Sequence, residues 1–61
     1  MIRVMLVDDE ELARERLRNL LSAFDDIQIV EEAQDGDEAM EKIASAKPDL
    51  VFMDEIGRAH V

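Results

Sequence analysis

Three carboxylates, Asp8, Asp9 and Asp54, carry the chemistry that this sequence can offer. Asp8 and Asp9 follow an apolar run from Ile2 to Val7, and Asp54 follows a second one from Leu50 to Met53. If the two runs are neighbouring parallel strands, all three acids reach the same edge of a sheet. Two unit charges about 4 Å apart repel by on the order of 4 kcal/mol at an effective dielectric near 20, so such a cluster requires a cation or a proton. The chemistry implied is a divalent-metal site beside a carboxylate that can accept a phosphoryl group.

The elements that must position these acids alternate between two periods. Ile2, Val4 and Leu6 on one face and Met5 and Val7 on the other make a strand apolar on both sides, as in a parallel sheet covered by helices. Arg3 is its one interruption. From residue 11 to 24 the apolar positions Leu12, Ala13, Leu17, Leu20, Leu21 and Phe24 form a helical stripe, with Arg14, Glu15, Arg16, Arg18 and Asn19 on the wet side. Glu10 and Glu11 suit the positive end of that helix's dipole.

Residues 27–33 alternate, with Ile27, Ile29 and Ala33 on one side and Gln28, Val30 and Glu32 on the other, which predicts a partly solvated edge strand. Glu31 spoils its apolar face. Gln34-Asp35-Gly36-Asp37 reads as a turn in which Gly36 can take positive φ and Asp37 caps a helix over about 37–45. That helix should bury Ala39, Met40, Ile43 and Ala44 and end at Lys47-Pro48. Leu50, Val51, Phe52 and Met53 then form a third strand.

The order β-α-β-α-β with short connections predicts an α/β fold with a doubly wound parallel sheet in three layers. In open sheets of this kind, ligands sit outside the carboxyl ends of the strands, where the winding direction switches. With the first strand in the middle, that point falls between the strands that precede Asp8 and Asp54.

Composition narrows the function further. A chain of 61 residues without cysteine holds one small domain and has neither a disulfide nor a thiolate metal site. Its 7 Lys and Arg against 16 Asp and Glu give a net charge of −9, which argues against direct contact with nucleic acid. The longest apolar runs fall far short of the roughly 20 residues a membrane span needs, and no signal peptide is visible. The methionines Met5, Met40 and Met53 read as core filler, and His60 as a tail residue rather than a ligand.

Val7-Asp8-Asp9-Glu10, Ala33-Gln34-Asp35-Gly36 with Glu38-Ala39, and Pro48-Asp49-Leu50-Val51-Phe52-Met53-Asp54 together resemble, in order and spacing, the first half of the receiver domain of two-component response regulators. The stretch from Asp8 to Arg14 is also similar to regulators whose receiver precedes a LytTR-type DNA-binding domain. The resemblance implies a flavodoxin-like sheet over residues 1–55, truncated after its third strand. It implies that Asp54 accepts a phosphoryl group from a partner histidine kinase, and that Asp8 and Asp9 hold Mg²⁺, Asp9 directly and Asp8 mainly through water. It further implies a cytoplasmic phosphoprotein that is not an enzyme, regulating transcription through an output domain absent from this chain.

The sequence departs from the family after Asp54. A receiver continues with two more strands, three more helices, a Ser or Thr and a Lys, none of which follows here. Residues 56–61, Ile-Gly-Arg-Ala-His-Val, are what one frame of a common sequencing adapter encodes, and the expectation is that this tail is non-native. The chain alone is therefore expected to be inactive and to be molten, aggregated or self-associated through the open edge of its third strand. Two alternatives stand beside the receiver reading. One is a Mg²⁺-dependent phosphohydrolase of the aspartyl-phosphate type, disfavoured because Ile56 occupies the position of its second acid. The other is a non-catalytic acidic interaction module.

Overall fold

A computed structural model describes residues 1–53 of the chain. The placement of Asp54, the domain boundary at 55 and the non-native tail expected at 56–61 lie outside the described residues. The element order is β1 (Ile2–Val7), α1 (Glu11–Leu21), β2 (Ile27–Ala33), α2 (Gly36–Ala46) and β3 (Leu50–Met53). All strands run parallel, in the order β2-β1-β3.

Because β1 is central, its side chains are covered on both faces, which explains why its sequence is apolar at successive positions. Val4 and Leu6 pack against Leu17 and Leu21 of α1, together with Ile27, Ile29 and Phe52. Met5 and Val7 face the other way, onto Ala33, Ala39, Ile43 and Val51. The helices therefore lie on opposite faces of the sheet. Since the two crossovers also step in opposite directions from strand to strand, they share one hand. Val4, Met5 and Leu6 are fully buried, each contributing about 1.5–3 kcal/mol of hydrophobic stabilisation.

Arg3, the interruption in β1, sits near the carboxyl end of α2. Its guanidinium donates to the Ala46 carbonyl, a cation at the negative end of the helix dipole. Its backbone is tied to Asp49 in both directions, which docks the entry to β3.

The structure corrects several local expectations. α1 stops at Leu21 instead of reaching Phe24, and Leu12 and Leu20 are 70% and 66% exposed. The stripe that meets the sheet is narrower, formed by Leu17 and Leu21. On α2, Met40 and Ala44 face solvent, while Ala39 and Ile43 pack inward. Lys47, in the left-handed region at φ 49°, ends this helix and passes its amide to the Ile43 carbonyl.

β2 is the edge strand expected, with an irregularity that alternation could not reveal. Val4 pairs with Ile29 but Met5 pairs with Glu31, so Val30 is an extra residue in the ladder. Downstream of it every side chain changes face. Ile27 and Ile29 pack on the α1 side, whereas Ala33 packs on the α2 side. No helix among the described residues is long and apolar enough to cross a membrane.

Candidate functional site

The carboxyl ends of the strands are level. Val7 is the register partner of both Ala33 on β2 and Met53 on β3, so the three strands end at one edge of the sheet. A cleft of about 180 Å³ opens there, lined by Val7, Asp8, Asp9, Gln34, Asp35, Gly36 and Met53. It lies where β2 and β3 flank the central strand on opposite sides, the switch point at which open α/β sheets bind ligands.

Asp8 is 6% exposed and held at three points. Its amide donates to the Ala33 carbonyl at 3.1 Å, extending the β1–β2 ladder by one bond. Its Oδ1 accepts the Glu10 amide at 2.9 Å, the side-chain turn that aspartate favours after a strand. Its carbonyl accepts from the Arg14 guanidinium on α1. A carboxylate has roughly four lone-pair sites, so this amide bond leaves Asp8 with acceptor capacity toward the cleft. Asp9, the next residue, is exposed and lines the same cleft.

The opposite wall is built by a helix cap. Asp35, in extended conformation at φ −155° and ψ 178°, accepts the Glu38 amide at 2.8 Å. The Glu38 side chain reaches back to accept the Gln34 amide at 2.8 Å, a reciprocal arrangement of the capping-box kind. Asp35 is therefore the cap, and Asp37 lies within the first turn. Gly36 is the first helical residue and has no positive φ, contrary to expectation. A Cβ at Gly36 would meet nothing within 4 Å, so its backbone fronts open space.

The Gln34 amide, followed by hydrogen bonding to Lys42, holds the Glu38 carboxyl below its ordinary pKa. Desolvation alone would lower the Lys42 ammonium, yet the Glu38 hydrogen bond and the Glu31 charge together raise it. Lys42 lies 3.3 Å from Glu38 and 3.5 Å from Glu31, and donates to the Glu32 carbonyl at 2.7 Å. On the other face, Glu32 accepts from Arg14 Nε at 3.1 Å and from Arg18 with both oxygens at 2.7 Å. The hydrogen bond to Glu32 is the main reason the Arg18 pKa is raised.

The structure thus brings Asp8 and Asp9 together at one cleft, while Asp54 is outside the described residues. Among the described residues, no group of three acidic, histidine or cysteine side chains could hold a metal. Met53, one peptide link before Asp54, lines the cleft. Sequence reasoning missed Asp35 as a cap and Arg14 as a support for Asp8. The Asp-x-x-Glu spacing from Asp35 to Glu38 was the signal for the first, since a cap at Asp37 would put Met40 in the reciprocal position.

Comparison with known proteins supports one family. A model of the response regulator receiver domain matches residues 4–56. The transcriptional regulatory protein BtsR of Salmonella typhi is 50% identical over 54 residues, which are 88% of this chain and 23% of that protein. A protein-glutamate methylesterase/protein-glutamine glutaminase of Methanospirillum hungatei is 48% identical over the same share of the chain and 16% of its own length. The sensory transduction protein LytT of Bacillus anthracis is 43% identical over 88% of the chain and 22% of its length. No solved structure gives a significant match. The chain spans about a quarter or less of these curated relatives. With the parallel β2-β1-β3 sheet, the acidic strand-end cleft and a family match over most of its length, the chain belongs to the response regulator receiver family.

Proposed function

We propose that this segment is the phosphoacceptor half of a receiver, in which Asp54 takes a phosphoryl group from a histidine kinase beside a Mg²⁺ held by Asp8, Asp9 and Asp54. The observation that carries the reading is the cleft itself: Asp8, Asp9 and Met53, from the ends of two paired strands, line one opening. A cleft with acidic oxygen donors fits Mg²⁺, which takes oxygen ligands in an octahedron and keeps several waters. When bound, the ion would offset charge on the transferring phosphoryl group and align it.

The chain's own residues supply the rest. Asp8, pinned by the Ala33 carbonyl and the Glu10 amide, presents a carboxylate that does not have to be ordered on binding. Asp9 is the more exposed of the pair and suits direct ligation, with Asp8 acting largely through water. An Asp54 carboxylate oxygen attacks phosphorus, the bond to the kinase histidine nitrogen breaks with its electron pair leaving on nitrogen, and an acyl phosphate results. Asp54 is then an acceptor that is regenerated on hydrolysis, and the segment is a switch input rather than an enzyme.

The output is proposed to be a transcription-regulating, DNA-binding domain, because BtsR is named a transcriptional regulatory protein. A net charge of −9 leaves DNA contact to that domain. The module would work in the cytoplasm. The 61-residue chain alone is expected to accept phosphate poorly, so the test joins residues 1–54 to the second half of a relative's receiver. Incubated with Mg²⁺ and a phosphorylated histidine kinase, this protein should gain a hydroxylamine-labile phosphoryl group that peptide mapping places on Asp54. Labelling that survives Asp54→Asn would refute the assignment.

A further inference from the structure

We infer that Arg14 is a positioning residue for the cation site, acting through the Asp8 carbonyl; this rests on the reading of Asp8 and Asp9 as metal ligands. Arg14 lies on α1, is 17% exposed at its side chain, and uses its guanidinium in two directions. One terminal nitrogen donates to the Asp8 carbonyl. Nε donates to Glu32 Oε1 at 3.1 Å.

The carbonyl of Asp8 and the amide of Asp9 belong to one rigid peptide plane. Fixing the direction of that carbonyl restricts rotation of the plane, and so restricts where the Asp9 side chain leaves the backbone. The Asp8 amide and Oδ1 are held by the Ala33 carbonyl and the Glu10 amide, and the Arg14 guanidinium adds a further hold at the Asp8 carbonyl. Arg14 thereby braces the peptide that leads into Asp9.

The brace is itself anchored. Glu32 receives Arg18 through both carboxylate oxygens at 2.7 Å, so Arg18, Glu32, Arg14 and the Asp8 carbonyl form one chain of charge-assisted hydrogen bonds from α1 across β2 to the cleft. The extra residue at Val30 helps to build it, because the change of face after the bulge turns Glu32 toward α1. Lysine cannot replace arginine here, since a single ammonium on a flexible stem lacks the planar fork that serves both acceptors.

The test is titration of the 61-residue chain with Mn²⁺ as the probe, following free Mn²⁺ by electron paramagnetic resonance. Far-UV circular dichroism normalises each sample for its folded fraction. The unsubstituted chain should bind at a site that Asp9→Asn removes. Arg14→Ala and Arg14→Lys should weaken that site on the order of tenfold, the usual size of outer-sphere effects on metal affinity. Arg18→Ala, which removes the anchor at Glu32 but leaves the Arg14 contact to Asp8 in place, should weaken the site less than either Arg14 substitution. A merely structural role would lower thermal stability in the Arg14 and Arg18 variants without moving the affinity of folded molecules. Unchanged affinity in folded Arg14→Lys overturns the inference even if Arg14→Ala unfolds. Equal binding by the unsubstituted chain and Asp9→Asn overturns the inference together with the metal reading on which it rests.

Discussion

Asp35 and Glu38 show how a pair of polar residues fixes one wall of the cleft. Asp35 satisfies the Glu38 amide in the first turn of α2, Glu38 satisfies the Gln34 amide just before the cap, and Lys42 stands behind Glu38. Asp35→Ala should cost about 1 kcal/mol of stability in chemical denaturation, the usual loss for a helix cap. The Glu38 pKa is lowered in the folded chain, so its contribution is present above the ordinary carboxylate range and is lost as pH falls through the folded value. An NMR titration should place the Glu38 midpoint below that of an unstructured glutamate peptide. At this scale the sequence was readable where chemistry follows from residue type: acids after apolar strands were legible as a cleft, and Asp8 and Asp9 line one. The cap was misplaced by two residues because Asp35 and Asp37 both suit that role, and only the partner at Glu38 tells them apart. Arg14 was read as a solvated residue, since nothing in a helical stripe reveals a carbonyl supplied by the preceding loop.

Elements were legible to the extent that periodicity follows packing. β1 reads apolar at successive positions because it is buried on both faces, and the five elements appear in the expected order. The bulge at Val30 was invisible, since Ile27, Ile29 and Ala33 obey simple alternation while the ladder does not. What looked like a flaw at Glu31 is explained by that slip: Glu31 and Glu32 point to opposite faces, where Lys42 and the arginines of α1 meet them. Burial also separates positions that look alike in the stripe. Leu6→Ala removes a fully buried side chain and should destabilise the chain by about 2–5 kcal/mol in urea unfolding. Leu12→Ala, at a position 70% exposed, should stay within about 0.5 kcal/mol.

Taken whole, the described residues form a three-stranded sheet whose β3 is paired on one side, to β1. Leu50 and Met53 on that strand are each 47% exposed, and Leu12, Leu20 and Met40 add apolar surface on the helices. Such an edge favours pairing with another chain, opposed by the mutual repulsion of molecules carrying a net charge of −9. Sedimentation velocity should therefore show a mass that rises with concentration and with added salt, which screens the repulsion, and Leu50→Lys should reduce it. A monomer with a sharp two-state thermal transition at micromolar concentration would contradict this. The central claim concerns a smaller region, the sharing of one cation by Asp8, Asp9 and Asp54. Calorimetric titration of Mg²⁺ into the chain and into Asp9→Asn, Asp54→Asn and the double variant tests it most directly, with Asp37→Asn, away from the cleft lining, as the control. Both single substitutions should weaken binding, with a combined loss that departs from additivity as expected for ligands of one ion, and the control should bind normally. Full Mg²⁺ affinity in Asp54→Asn alongside its loss in Asp9→Asn would show that Asp54 stands apart from the acidic pair.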